Sequence, residues 1–269
     1  MNDAPGPHGQ RPSGARTSIP PARPFDYGRI PLGYYDNITR EGNPVRRLWH
    51  LAKFERVIDY LPRQSGQRIL DIGCFAGTFL GLLDPSEFSH MLGVDILLEQ
   101  IAHATAYHGR PNREFKYIKT LAGLASIEGP FDCITFIEVI EHLRPDEIQI
   151  VLDEAARLLV PGGKLIVTTP NYASAWPVIE LLINRFSDLS YEEQHITRFT
   201  YWNMMKRLEE ISPDFAKNFE VEEKTTTHLV TPFLAAFSFR GARMLSRAIP
   251  HKHWRVPLGN LVLTVFARK

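Results

Sequence analysis

The stretch Ile-Leu-Asp-Ile-Gly-Cys-Phe-Ala-Gly-Thr-Phe-Leu at residues 69–80 decides the fold. Its first residues are apolar and β-branched enough to form a buried parallel strand. Gly73 and Gly77 open a turn, and the residues from Thr78 onward are typical of a helix. A strand, a glycine turn and a helix N-terminus present backbone N–H groups to a ligand at the carboxyl edge of a sheet. The stretch therefore predicts a binding site at that edge.

Strand and helix patterns alternate on both sides of this stretch. Strands are predicted at 68–72, 91–95, 115–119, 133–137 and 164–169, with two more near 219–226 and 259–267. Helices are predicted at 77–83, 97–107 and 146–159. This alternation indicates an α/β protein with a Rossmann-like, seven-stranded, mostly parallel sheet flanked by helices.

The remaining segments extend this core. Residues 1–25 hold six prolines, and we expect a disordered tail there because such a segment buries little apolar surface. Residues 26–269 are predicted to form a single domain. Within it, 43–62 has apolar residues at helical spacing and is predicted to be an N-terminal lid helix. A helical insertion at 172–212, with helices near 174–186 and 200–210, is expected to bind the acceptor.

Composition limits the cellular setting. The net charge of +1 gives no reason to expect a nucleic-acid partner. Cys74 and Cys133 lie in or beside predicted strands, which favours a reducing cytoplasm over a disulfide scaffold. No apolar run approaches the roughly 18 residues of a membrane span, and the N-terminus lacks an apolar signal-peptide core. We therefore expect a cytoplasmic protein and leave its oligomeric state open.

Asp95 ends the second strand, 18 residues after Gly77. In nucleotide-binding α/β sheets a carboxylate at this place accepts hydrogen bonds from both ribose hydroxyls. The alternative is that Asp95 starts the following helix as its N-cap. The turn lacks the middle glycine that a pyrophosphate requires, and Asp71 would repel a pyrophosphate but attract a cationic amino group. These residues favour a nucleoside that carries an amino acid.

Four motifs now appear in a set order. They are Ile-Leu-Asp-Ile-Gly-Cys-x-x-Gly at 69–77, Gly-Val-Asp at 93–95, Phe-Asp at 131–132 with Phe-Ile-Glu-Val-Ile-Glu-His-Leu at 136–143, and Leu-Leu-x-Pro-Gly-Gly at 158–163. Residues 43–269 resemble class I S-adenosylmethionine (SAM)-dependent methyltransferases. The nearest type is the ubiquinone-biosynthesis O-methyltransferase, because Glu-x-x-Glu-His follows strand four and Thr-Pro-Asn follows strand five. The resemblance implies SAM as cofactor and an enzyme that transfers its methyl group.

The resemblance also implies which residues bind the cofactor. The methionine end would be held by Asp71 and the turn residues Gly73, Cys74, Phe75 and Gly77. Asp95 would bind the ribose, Ile96 would flank the adenine, and Glu138 would reach the cofactor pocket. Phe75 departs from the family pattern, in which a glycine or small residue is commoner. We expect its ring either to point away from the cofactor or to shape the methyl-transfer cavity.

Candidate catalytic groups follow the fourth strand. Glu138, Glu141 and His142 would share one face if that turn were helical. His195 is the predicted general base, because an unperturbed imidazole titrates near neutrality, and Glu141 and His142 are the other candidates. The alternative is that His195 is a loop histidine satisfied by Glu192 or Glu193.

The same residues offer a metal-binding alternative. Glu138, Glu141, His142 and His195 could bind a divalent cation such as Mg²⁺. Small-RNA 2′-O-methyltransferases use a similar set for that purpose. We favour the interpretation without metal, in which Glu138 caps the turn and His142 packs or hydrogen-bonds inside it.

The expected reaction is methyl transfer from SAM to a small-molecule or lipid-like acceptor, at a hydroxyl. Two alternatives are a metal-dependent enzyme resembling the small-RNA 2′-O-methyltransferases and a non-catalytic SAM-binding partner subunit. Residues 233–255 bear on the acceptor, because they are amphipathic and basic, with Arg240, Arg243 and Arg247 on one side. They could contact an anionic substrate or a membrane peripherally. We favour a cap helix whose arginines lie in water.

Overall fold

One seven-stranded sheet organises the computed structural model, which describes residues 30–62, 64–186, 195–252 and 256–269. The strands are β1 (Gln67–Ile72), β2 (Phe88–Asp95), β3 (Arg113–Tyr117), β4 (Phe131–Ile137), β5 (Leu159–Pro170), β6 (Phe219–Thr227) and β7 (Leu261–Arg268). Their order is β3-β2-β1-β4-β5-β7-β6. Strands β1 to β5 are parallel, whereas β7 is antiparallel to both β5 and β6. This confirms the predicted α/β class and the mostly parallel sheet.

Helices cover both faces of this sheet. They are α1 (Tyr34–Glu41), α2 (Pro44–Ile58), α3 (Thr78–Gly81), α4 (Leu98–His108), α5 (Pro145–Leu158), α6 (Trp176–Phe186), α7 (Met204–Ile211), α8 (Phe215–Asn218), α9 (Thr231–Leu234) and α10 (Phe239–Ala248). Within the described ranges, no helix is both long and apolar enough to cross a membrane.

Two apolar clusters hold the helices to the sheet. Side chains alternate along β1, so Leu70 and Ile72 face one way while Ile69 faces the other. The Leu70 side packs with α5, and the Ile69 side packs with Phe54 of α2. Both layers exclude water from the strands, which leaves their carboxyl ends as the accessible edge.

The strand order places a crevice between β1 and β4. The chain leaves β1 toward β2 on one side and later returns to β4 on the other, which makes this the topological switch point where α/β sheets bind ligands. Asp71 pairs with Gly93 of β2 and with Thr135 of β4. The ends of three strands therefore converge near Asp71.

The predicted lid helix corresponds to α2. Asn43 caps it by accepting a hydrogen bond from Val45 N at 2.9 Å, and Pro44 occupies the first turn, where its missing N–H costs nothing. The sequence did not predict α1, which precedes it. The helix predicted at 77–83 is wrong in length, because α3 ends at Gly81. The predicted tail at 1–25 lies outside the described residues.

The segment 172–212 contains α6 and α7. Met204 and Leu208 of α7 lie in the main apolar core, so this helix belongs to the layer that packs on the sheet. The acceptor-binding role of 172–212 stays a prediction, and residues 187–194 lie outside the described part of the chain.

The C-terminal amphipathic stretch differs from the favoured interpretation. It forms two helices, α9 and α10, with Ser238 capping the second. Arg240 is exposed, as expected of an arginine in water. Arg243 and Arg247 instead donate hydrogen bonds to Glu55 of α2, at 2.5 and 2.7 Å. Arg247 stays exposed, as expected, but the sequence did not reveal that α2 carries a carboxylate that pairs with both arginines.

Candidate functional site

The glycine turn after β1 is held in an unusual backbone conformation. Gly73, Phe75 and Gly77 all have positive φ, at 75°, 50° and 76°. A Cβ on Gly73 would lie 2.5 Å from a methyl carbon of Val139, so only glycine fits there. Phe75 adopts the left-handed conformation despite its side chain, and strain of this kind persists only where surrounding contacts enforce it.

Asp95 supplies that enforcing contact. Its Oδ2 accepts a hydrogen bond from Phe75 N at 2.8 Å, and its Oδ1 accepts one from Leu97 N at 2.9 Å. One carboxylate thus joins the glycine turn to the chain after β2. The alternative role of N-cap is wrong, because the N-cap residue of α4 is Leu97. Ile96 is 43% exposed beside Asp95, and its contact with a base stays a prediction.

Asp71 is a buried acid at the end of β1. Thr135 Oγ1 donates a hydrogen bond to its Oδ1 at 2.7 Å. Burial raises the pKa of Asp71 to about 7, and the negative charge of Asp95 adds to that rise although the threonine opposes it. Burial likewise raises the pKa of Asp95. The described ion pairs give neither carboxylate a cationic partner, so a cationic ligand suits this cradle.

Helices α1 and α2 cover the turn. Thr78 Oγ1, at the start of α3, donates to Asp36 Oδ1 at 2.7 Å, and the Nε2 atoms of His103 and His108 each lie 2.9 Å from Asp36 Oδ2. Burial alone would raise the pKa of Asp36, but the hydrogen bonds from His108, Thr78 and His103 lower it to about 2. This carboxylate therefore fastens α1 to the turn and to α4.

The same helix accounts for Phe75. Its ring lies 5.1 Å from that of Tyr35 on α1, edge to face. The phenyl group that departs from the family pattern is thus half-buried against α1.

Glu138 lies at the end of β4, on the other side of the crevice. It has a positive φ of 54°, and its Oε1 accepts a hydrogen bond from Thr168 Oγ1 at 3.2 Å. The predicted helical face is wrong, because Glu138 precedes the short 3₁₀ turn that holds Glu141 and His142. The left-handed backbone of Glu138, and not helical spacing, sets the direction of its side chain.

His195 joins Glu141 and His142. Thr197 N donates to the carbonyl of Glu141 at 3.0 Å, and this bond brings the chain after α6 against the 3₁₀ turn. One ligand atom each of Glu141, His142 and His195 lies within 4.8 Å of the other two. The structure therefore brings together three of the four residues that the sequence suggested for a cation, and Glu138 is not part of that group.

The partner of His195 is a residue that the sequence did not indicate. His195 is buried, and its Nδ1 lies 3.0 Å from Glu180 Oε1 and 2.7 Å from the hydroxyl of Tyr172. Burial alone would raise the pKa of Glu180, but the hydrogen bond and charge of His195 outweigh it and lower the pKa. An ionised carboxylate on one nitrogen orients an imidazole and stabilises its protonated form. Glu192 and Glu193, the partners expected instead, lie outside the described residues.

Lys53 of α2 is a second residue that the sequence did not indicate. It is only 5% exposed, and its Nζ lies 5.7 Å from the ring centroid of Tyr35. Burial lowers its pKa, while the charges of Glu138 and Glu141 oppose that shift. Burial and the charge of Glu138 raise the pKa of Glu141 well above its usual range. Lys53 therefore brings a buried amine close to these carboxyl groups.

Aromatic rings line the approach to His195. The ring of Trp49 lies 5.6 Å from Trp176, 4.7 Å from His228 and 6.2 Å from Phe233. Trp176 in turn lies 6.1 Å from the ring of His195. Three separate segments thus contribute to one aromatic wall.

The family model described as "Methyltransferase domain" matches residues 46–211, which include the glycine turn, Asp95, Glu138 and His195. The chain belongs to this methyltransferase family. It is 35% identical over 134 residues to the ubiquinone biosynthesis O-methyltransferase of Xylella fastidiosa strain M23, covering 48% of this chain and 49% of that protein. The chain thus spans about half the length of the curated relatives it matches.

Solved methyltransferase structures share the fold. The PH0226 protein of Pyrococcus horikoshii OT3 superposes with a TM-score of 0.59 at 20% identity, covering 91% of this chain and all of that one. The N-methyltransferase NodS of Bradyrhizobium japonicum WM9, solved with S-adenosyl-L-homocysteine (SAH), gives a TM-score of 0.52 at 16% identity and covers 85% and 89%. At these identities the likeness establishes the fold alone.

Proposed function

We propose that this methyltransferase transfers the methyl group of SAM to a hydroxyl of a small-molecule or lipid-like acceptor. One observation carries the proposal: two buried carboxylates without a cationic partner in the described ion pairs border a glycine turn, across the crevice from a histidine paired with a carboxylate. The first half suits a cationic nucleoside cofactor. The second half suits removal of a proton from the acceptor.

The residues at the β1 and β2 ends fit SAM. Asp71 would bind the cationic amino group, and Asp95 would bind the ribose while it holds the turn in place. Bound SAM supplies a methyl group on a positively charged sulfur, which is already a good electrophile. The protein therefore has to position the acceptor and accept its proton.

His195 is the proposed general base. Its Nδ1 is engaged by Glu180 and Tyr172, so the ring orientation is fixed and the charge of a protonated ring is balanced by Glu180. Lys53 would stabilise negative charge that develops on the acceptor oxygen, because its amine is buried near the same carboxyl groups. The aromatic wall around Trp49 suits a largely apolar acceptor.

A cation site is the second candidate for these residues. Glu141, His142 and His195 place their ligand atoms within 4.8 Å of one another, and carboxylate and imidazole are suitable ligands for divalent metals. Contact between His195 and Glu180 matches the pattern in which a carboxylate orients a metal-binding imidazole. A bound cation would orient a hydroxyl and lower its pKa.

Two measurements on the full chain test the proposed function. Calorimetry with SAH should give a one-site isotherm. The absence of measurable binding would refute methyl transfer from SAM. When methyl-labelled SAM is incubated with a series of alkyl-substituted phenols and alcohols, the labelled methyl group should appear on the hydroxyl oxygen, as a methyl ether. SAH binding without transfer to any hydroxyl, nitrogen or carbon acceptor would support the non-catalytic partner subunit instead.

The affinity for SAH should rise with pH because of Asp71. Its pKa of about 7 in the free protein means that the carboxyl is neutral below that pH and ionised above it. A cationic amino group prefers the ionised form, so the dissociation constant should fall by up to about tenfold per pH unit from about pH 5.5 to about pH 7.5. Stability of the free protein should change in the opposite direction. Between about pH 4 and about pH 7 the folded protein keeps a proton on Asp71 that the unfolded chain has lost, so the free energy of unfolding falls as pH rises through that range.

The Asp71→Asn variant provides the control for this pH dependence. Its amide can still accept a hydrogen bond from Thr135 but cannot ionise, so SAH binding should be weaker and nearly independent of pH. Calorimetry across that range in two buffers of different ionisation enthalpy would check both the affinity and the proton release. A pH dependence that persists in Asp71→Asn would assign the titration to another group.

A further inference from the structure

Helix α10 packs two small residues and Phe239 against the protein and leaves Met244 and Leu245 exposed. Ala242 and Ser246 are buried, and Ala242 packs in a cluster with Leu48 and Ala52 of α2. Met244 of α10 is 73% exposed, and Phe237, in the turn before α10, is 91% exposed. An ordinary cap helix buries most of its large apolar side chains, whereas two of those on α10 stay exposed. Large exposed apolar groups of this kind mark an interaction surface.

The exposed apolar side chains come from α9, from α10 and from the turn between these helices. Phe237 lies in that turn, and Met244 lies on α10. Leu245 is 44% exposed beside Met244, and Phe233 and Leu234 of α9 are 40% and 38% exposed. We call this set, together with Arg240, Arg243 and Arg247, the α9–α10 surface. It combines exposed apolar side chains with arginines.

The charge of this region is one-sided. Residues 224–269 contain eight Lys and Arg residues and no Asp or Glu. The carboxylate that meets the arginines, Glu55, belongs to α2 and binds Arg243 and Arg247 from the inner side. Arg240 is exposed, and the side chain of Arg247 keeps 59% of its exposure. The α9–α10 surface is therefore complementary to a surface that is apolar and negatively charged.

The α9–α10 surface adjoins the aromatic wall of the candidate site. Phe233 contacts Trp49, and Trp49 contacts Trp176 at the start of α6. Along α6, Val178, Leu181 and Leu182 are between 52% and 66% exposed. Exposed apolar side chains thus lie on both α6 and α9, the two helices whose aromatic rings contact Trp49.

We propose that the α9–α10 surface binds the interface of an anionic lipid bilayer. Phe237 and Met244 insert among the acyl chains near the headgroups, and Arg240 and Arg247 contact lipid phosphates. A bilayer accounts for the exposed apolar side chains and the one-sided charge together, because it offers an apolar layer bordered by a sheet of negative charge. This binding does not require methyl transfer, but it extends the proposed function, since a lipid-like acceptor would reach Trp49 directly from the membrane.

Vesicle flotation of the full chain tests the proposal. The protein should float with phosphatidylcholine vesicles that contain phosphatidylglycerol, bind much more weakly to pure phosphatidylcholine, and dissociate as salt screens the arginines. Met244→Ser should weaken partitioning at least tenfold, and Arg240→Gln should weaken it about fivefold. Ile150→Ser is the matched control, because Ile150 is an exposed apolar residue on α5, on the opposite face of the sheet.

The outcomes separate this inference from the proposed function. Equal losses in Met244→Ser and Ile150→Ser, or no flotation of the full chain, would overturn bilayer binding. A dimer that Phe237→Ser converts to monomer would also overturn it, by showing that a second copy covers the surface. Flotation only after removal of residues 1–29 would overturn it by assigning the surface to that segment. SAH affinity should be unchanged in these variants, so vesicle binding without any methyl transfer would refute the proposed function alone.

Discussion

Replacing Asp95 by asparagine is expected to weaken SAH binding at least a hundredfold. The two oxygens of Asp95 accept hydrogen bonds from Phe75 N at 2.8 Å and Leu97 N at 2.9 Å. An asparagine amide has one acceptor oxygen, so its NH₂ group would face one of these N–H donors. Losing a charge-assisted bond and leaving a buried N–H unsatisfied costs about 3 kcal/mol or more. The strained conformation of Phe75 would then lose the contact that holds it.

Calorimetry with SAH measures this loss, and Asp84→Asn is its control. Asp84 likewise accepts a hydrogen bond from a backbone N–H, that of Ser86 at 2.9 Å, but it is exposed and precedes β2 at the far end from the site. That variant should bind SAH normally. Thermal unfolding of Asp95→Asn should remain cooperative, because the two apolar clusters are untouched. Unchanged SAH affinity in a folded Asp95→Asn protein would remove Asp95 from the cofactor site.

The proximity of Asp71, Asp95 and the glycine turn could be predicted because it follows from strand order. Asp71 and Asp95 each end a strand, and parallel strands end at a common edge, so sequence order alone brings these residues together. Gly73 and Gly77 adopt positive φ, a conformation that glycine adopts readily, so the residue type alone indicates the turn. Their placement depends on strand order and backbone conformation and not on contacts between distant side chains.

The contacts of α1 and the partner of His195 could not be predicted for the opposite reason. Asp36 is 67 residues from His103 and 72 from His108, and no periodicity links them. Glu180 reaches His195 only because Thr197 bonds to the 3₁₀ turn at Glu141. A carboxylate on a helix of unknown orientation gives no signal in the sequence.

The α9–α10 surface illustrates a limit of hydrophobic periodicity. The pattern shows that one side of a helix is apolar, but it does not show which side meets the protein. Here the close approach of α2 selects Ala242 and Ser246 as the inner side, because small residues let the helices come together. Packing against α2 therefore determines which side of α10 faces the protein, and the sequence pattern does not.

Replacing His195 by alanine is expected to lower kcat by a factor of about 10² to 10⁴ and to leave SAH affinity within about twofold. A general base accelerates only the step in which the acceptor loses its proton, and His195 lies across the crevice from the Asp71 cradle. Its burial and its Glu180 partner fix the ring in one orientation, so water would replace it poorly. Methyl transfer at saturating SAM, measured beside SAH calorimetry, separates the two effects.

Glu180→Gln tests whether His195 acts as a base or as a metal ligand. As a base, His195 relies on the Glu180 charge to balance its proton, so the variant should lose activity and shift the pH–rate profile, with no response to EDTA or to added Mg²⁺. As a ligand, His195 would use Glu180 to orient its ring, and EDTA would abolish the activity of the unmodified protein until a divalent cation restores it. The unmodified protein distinguishes the two roles first, because only the second predicts that chelation matters. Tyr172→Phe then serves as the matched variant. It removes the hydroxyl that lies against the same nitrogen and donates to Glu180, but it removes no charge, so its loss should be smaller than that of Glu180→Gln if charge balance is what His195 needs.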